Sequence, residues 1–176
     1  MDCPERLDLL RQHPVQTEPV MGHEMGHYVM GHTLRALLLS GLLILLAFAF
    51  LHWGFRFATH WFADQWRVKQ LDDIAGLPLL TALASLFFLL ATPLTNGIVR
   101  SAEHQADIFG LDAVRKPDAF ATAMLKLSTY RKLEPGKWEE IVFFDHPSGR
   151  TRVMDAMVWK KEHIRDVDIR DTISPQ

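Results

Sequence analysis

Charge disappears from this chain twice. Ala36 to Phe55 carries no formal charge over about 20 residues, and Ala75 to Val99 none over about 25. At 1.5 Å rise per residue, either run is long enough to cross the roughly 30 Å apolar slab of a bilayer as a helix. Their cores, LLLSGLLILLAFAFL and LLTALASLFFLLATPL, lack the polar face that a core helix of a soluble protein shows. The pattern predicts two spanning helices joined as a hairpin. From His52 to Gly76, Trp53, Phe55, Phe57, Trp61, Phe62 and Trp66 are interleaved with His52, Arg56, His60, Asp64, Arg67 and Lys69, a mixture suited to a membrane interface. Pro78 stands near the start of the second run, and Pro93 near its end is a point where the helix can kink. Arg35, Arg100, Arg115 and Lys116 outside the runs nearly balance Arg56, Arg67 and Lys69 between them, so the positive-inside rule gives no orientation.

The flanks are patterned differently. Residues 1–16 form a polar segment without the apolar core of a signal peptide. Thr17 is placed to cap a helix whose first turn holds Glu18 and Pro19 and which carries on into the first apolar run. The second run continues into a charged helix, Ile98 to Val114, stopped at Lys116-Pro117. A helix from Asp118 to Lys132 with Phe120, Met124 and Leu127 on one stripe follows, then a turn at Glu134-Pro135-Gly136. Ile141 to Phe144 reads as a short strand or a buried loop, and Ser148 as the cap of a last helix reaching about Lys161. The chain thus divides into residues 1–16, residues 17–115 with the hairpin and its flanking helices, and a soluble helical region, 116–176. The fold class is mainly α, an integral membrane helical hairpin.

Composition narrows the function. At 176 residues there is room for one domain with a core. A net charge of −2 gives no argument for nucleic acid, which calls for a basic face, so no nucleic-acid partner is expected. One cysteine, Cys3, allows neither an internal disulfide nor a cysteine-based zinc site.

The chemistry begins at His23-Glu24-Met25-Gly26-His27. Two histidines four apart on a helix differ by about 40° in azimuth and one turn in height, so both imidazoles reach one metal ion. This is a zincin-like active-site helix, with Glu24 beside the water as general base. His32 falls out of register with the longer metzincin pattern. On a continuous helix it lies about 180° from His23, which makes it a surface or interfacial histidine.

A catalytic zinc takes a third protein ligand and keeps one position open. Glu103 is the candidate. His27 lies about nine residues before Ala36, and Glu103 about eight after Thr95, so an antiparallel hairpin brings them to similar height, roughly 12–13 Å beyond the slab. Asp107, one turn on, is placed to accept the free N–H of a ligating histidine. His104 points about 100° from Glu103 and is set aside as a ligand. In Phe144-Asp145-His146-Pro147-Ser148, His146 either stabilises the oxyanion formed at a substrate carbonyl or belongs to a simple capping loop. Arg152 either pairs with an acidic group near the site or is a surface charge.

GHEMGHYVMGH (22–32), RSAEHQADIFG (100–110) and HPSGRTRV (146–153), in this order, resemble the three sequence blocks of the CAAX prenyl protease type of zinc peptidase, within peptidase family M48. The resemblance covers roughly Glu18 to Trp159. It implies His23, His27 and Glu103 as ligands of one Zn2+, Glu24 as catalytic base, Asp107 as support for the ligands, His146 near the substrate carbonyl, and Arg152 as the arginine of the third block. It also implies an integral, multi-pass membrane protease with its zinc on the cytosolic side, acting on peptides or membrane proteins. Members of that family carry a long region before the zinc helix. The resemblance therefore leads to the expectation of an N-terminally truncated member, its missing region supplied elsewhere or by a partner chain. The competing expectation is a catalytically weak zinc-binding membrane protein or partner module.

Overall fold

A computed structural model describes residues 14–66, 74–128 and 132–163, with side chains of 14–16 and 63–66 left aside. The polar segment up to residue 13, and Arg67 and Lys69 between the apolar runs, lie outside the described residues. Among the described residues six α-helices follow in order: α1 Pro14–Val29, α2 His32–Trp66, α3 Leu77–Val114, α4 Pro117–Leu127, α5 Lys137–Phe143 and α6 Gly149–Glu162, with a tight turn at Ile74–Gly76 before α3. No strand occurs among the described residues, so the protein is mainly helical.

Five expectations are corrected. Thr17 lies inside α1, not at its cap, and Pro19 lies inside it with its ring fully buried. That helix does not run into the first apolar run. It ends at Val29, where Gly31 takes φ +66, the left-handed conformation that closes helices and that glycine adopts without a Cβ clash. α2 extends to Trp66, so the aromatic stretch after Phe55 is largely helix. Ile141 to Phe144 is neither strand nor buried loop: α5 covers Ile141 to Phe143, with Ile141 and Phe143 exposed. The expected helix from Asp118 to Lys132 is α4, which ends at Leu127.

The chain forms two compact units, residues 33–95 and the remainder. In the first, the Phe50 and Phe87 rings lie 5.5 Å apart, and a Cβ on Gly54 would stand 3.1 Å from Leu83. Both pairs belong to one antiparallel register. This unit contains the apolar windows of two helices long and apolar enough to cross a membrane, and those windows are 0% and 6% buried. A core helix of a soluble protein would be mostly buried, so these helices point to membrane association.

The other unit has a small core. α4 packs on α6 and on α1. Leu111, Phe120, Ala121, Ala123, Met124, Ala156 and Trp159 are buried together, with Val20, Ile108, Val153 and Met157 against them. Pro117 opens α4, where a missing N–H costs nothing. Ser148 caps α6 by accepting from the Thr151 N–H at 3.2 Å. The Trp159 indole donates to Asp112 at 2.7 Å, which satisfies a polar atom that packing would otherwise strand.

Candidate metal centre and active site

Small residues set the site. A Cβ on Gly22 would lie 3.2 Å from the Gly110 Cα, and one on Gly26 3.0 Å from the Ala106 Cα. α1 and the end of α3 therefore meet backbone to backbone. Any larger side chain on this seam would push the histidine helix off the glutamate helix, because 3.0 Å is inside carbon–carbon contact.

Across that seam His23, His27 and Glu103 converge, each offering one ligand atom within 4.8 Å of the others. The His23 and His27 Nε2 atoms are 3.1 Å apart. Glu103 places Oε2 at 3.5 Å from His23 Nε2 and Oε1 at 3.3 Å from His27 Nε2. Two imidazole nitrogens and a carboxylate turned onto one point can hold a metal ion there. Two nitrogens and one oxygen with an open side are the donor set of a catalytic zinc.

His23 is fixed from behind. Its Nδ1 lies 2.8 Å from Asp107 Oδ1. Asp107, only 1% exposed, is held by a fork from Arg152, with Nε donating to Oδ2 at 2.7 Å and Nη2 to Oδ1. The fork satisfies a carboxylate whose unpaired burial would cost several kcal/mol, on the order of a full ion desolvation. Burial pulls the His23 imidazole pKa down, but hydrogen bonds to Asp107 and Glu103 outweigh it and raise the value to about 9. Burial lowers the pKa of His27. For Glu103 burial acts upward, and contacts with His23, His146 and His27 overcome it, so its pKa is lowered.

Glu24 is exposed, one residue from His23, and lines a cavity of about 260 Å³ together with His23, Glu103, His146 and Arg152. Val20, Met124, Leu127 and Phe144 give this cavity apolar walls. His146 brings Nε2 to 3.4 Å from Glu103 Oε2 and Nδ1 to 2.9 Å from Asp145 Oδ1. Its loop is braced at both ends. Asn96 donates to the Val142 carbonyl at 2.8 Å, and Arg100 to those of Glu140, at 2.8 Å, and Phe144. Glu140 accepts the Ser148 N–H at 3.0 Å. His104, set aside as a ligand, turns away to Asp155 at 3.1 Å.

Sequence reasoning misplaced His32. It is buried, with Nδ1 3.0 Å from His27 Nδ1. The expected 180° separation assumed a continuous helix, and the break at Gly31 removes that premise. The glycine was the available signal, since a helix that ends in glycine there cannot be extrapolated through it. Asn96 and Arg100 were also missed as braces, because nothing local marks their partners some 40 residues away.

A histidine pair, a carboxylate between them in sequence and a third acidic ligand from a second helix define the metallopeptidase class. The description of peptidase family M48 matches residues 7–160, and the chain belongs to that family. It is 29% identical over 139 residues to the uncharacterized metalloprotease YhfN of Bacillus subtilis (strain 168), across 78% of this chain and 33% of the relative. The chain thus spans about a third of that relative's length. No solved structure matches it. Membership in a metallopeptidase family implies a metal, and the residues present fit one.

Proposed function

We propose that this chain is a membrane-bound zinc metalloendopeptidase. One observation carries the reading: His23, His27 and Glu103 converge within 4.8 Å at a cavity that Glu24 also lines. His23, His27 and Glu103 would hold one Zn2+, which when bound would supply Lewis acidity toward a peptide carbonyl. Glu24 takes the proton of the attacking water and passes it to the leaving amine. His146, across the cavity, donates to the carbonyl oxygen as negative charge develops on it. Asp107 and Arg152 keep the His23 ring turned so that Nε2 faces the metal. The apolar walls of the cavity suit an apolar side chain of an extended peptide.

α2 and α3 cross the bilayer as a hairpin in this reading. Their length and the exposure of their apolar windows support it. The cytosolic placement of the zinc site is supported by the resemblance of the three sequence blocks alone. The CAAX prenyl protease type is likewise a proposal about specificity, resting on those blocks.

Glu24→Gln tests the mechanism. The variant is expected to keep zinc at the wild-type level and to lose turnover of a peptide substrate by at least about 100-fold, as removal of a general base does. Zinc content and proteolysis are measured on the same detergent-purified sample. A metal-loaded Glu24→Gln protein that still cleaves would sink the assignment.

A further inference from the structure

The two ligand histidines are both gripped at Nδ1, but by different partners. His23 meets a carboxylate, whereas His27 meets the imidazole of His32, Nδ1 to Nδ1 at 3.0 Å, with the rings near-perpendicular at 72°. His32 is 7% exposed. It reaches this place because Gly31, at φ +66, ends α1 and lets the next residue fold back beside His27.

The hydrogen inventory then fixes the roles. A neutral imidazole has one N–H donor and one lone pair. His27 turns Nε2 toward Glu103 and His23, into the place where the donors converge, so its lone pair lies there and its hydrogen on Nδ1. A hydrogen bond between two Nδ1 atoms needs one donor and one acceptor. His32 therefore accepts at Nδ1 and carries its own hydrogen on Nε2. That Nε2 is buried without a hydrogen-bond partner among the described residues. A buried polar atom left so costs about 1–3 kcal/mol, so the contact with His27 is what recommends this burial of a histidine.

We propose that His32 is a positioning residue for His27, accepting its Nδ1–H and thereby fixing the tautomer that offers Nε2 to the metal. The proposal rests on the zinc-site reading above. It makes the site unsymmetrical: a carboxylate backs His23, and a neutral acceptor backs His27.

The test is zinc affinity, measured by competition with a chromophoric chelator on the full chain in detergent. His32→Asn, His32→Gln and His32→Leu are compared with wild type. The Asn side-chain oxygen falls near the place of Nδ1 and that of Gln near the place of Nε2, while Leu fills the space with no acceptor. His32→Asn is expected to stay within about a factor of three of wild type, and His32→Gln and His32→Leu to lose about 10–100-fold. The visible spectrum of the Co2+-loaded protein is expected to match wild type for Asn and to differ for Gln. The Asn and Gln variants keep a polar side chain, so the comparison survives if the Leu variant does not fold. Equal affinities throughout, or an Asn variant as weak as Gln, overturn the role of His32. A wild-type chain that binds no zinc overturns the zinc site itself, and this proposal with it.

Discussion

The unit that carries the candidate metal site buries charged groups and pairs them, whereas the described part of residues 33–95 leaves many large apolar side chains exposed. In the first, Asp107 is 1% exposed and accepts from Arg152, with His23 Nδ1 also at 2.8 Å. In the second, Thr59, Thr81, Ser85, Thr92 and Thr95 each donate to a carbonyl one turn back on their own helix. Both units follow one rule. Where water is absent, a polar group is stabilised by a partner inside the protein, as these side chains are. In the site unit the protein itself excludes water; on α2 and α3 the bilayer does so, in the proposed reading.

Core truncation should separate the units most strongly. Phe120→Ala removes a fully buried ring and is expected to cost about 3–5 kcal/mol of stability. Phe48→Ala, 67% exposed on α2, is expected to cost less than about 1 kcal/mol. Denaturant unfolding in micelles measures both, and equal losses would mean that residues 33–95 pack as an ordinary protein core. A charge should discriminate in the opposite sense. Leu45→Arg, in the middle of the first apolar run, should weaken insertion by about 3–4 kcal/mol. Leu125→Arg, on the exposed side of α4, should leave insertion unchanged. Alkaline extraction of membranes reads the difference, and full retention of Leu45→Arg would remove the case for a spanning α2.

Much of this contrast is legible in the sequence, because charge-free runs and the His23–His27 spacing are local patterns. The helix from the apolar run to Glu103 is legible too, and it continues through Pro93 to Val114. What escapes is set by distant contacts. The short apolar run from Ile141 to Phe144 reads as a strand or a buried loop, yet Glu139 accepts the Gly136 N–H at 3.0 Å to start a helix, and Arg100 and Asn96 take up the carbonyls at its end. His32 escapes for the opposite reason: a single left-handed residue redirects the chain, and a periodicity argument carried through Gly31 turns the ring the wrong way.

Within the candidate site, His23 and His27 differ in what lies behind each ring, Asp107 for one and His32 for the other. Asp107→Asn is expected to lower zinc affinity about 10–100-fold, because a neutral amide orients His23 less firmly and leaves the Arg152 charge uncompensated. His104→Ala, whose ring pairs with Asp155 outside the metal cluster, should not change it. Competition with a chelator measures both variants. Equal losses would mean that the Arg152–Asp107 fork serves the fold alone.

The smallest effect, per unit of the variable changed, is that of pH. Burial pulls the His23 pKa down, but Asp107 and Glu103 raise it from 6.5 to about 9, so the metal-free site keeps a proton on His23 through neutral pH. The sign follows from a folded value above the ordinary one. His23 contributes its full stability to the metal-free fold below pH 6.5 and loses that contribution as pH rises through about 9. Zinc needs the neutral ring, so between those limits each ion displaces one proton from His23. Apparent zinc affinity should then rise about tenfold, or roughly 1.4 kcal/mol, per pH unit and level off above the His23 value. His27 adds no second proton, since its pKa is lowered by burial, and Glu103 stays ionised because its neighbours hold its pKa down. Calorimetry in buffers of different ionisation heat counts the protons released. A slope of two would show His27 protonated with His23, and a slope of zero would show that Asp107 does not hold a charged ring. In Asp107→Asn the plateau should begin at lower pH than in wild type, because the side-chain contact that most raises the His23 pKa is weakened.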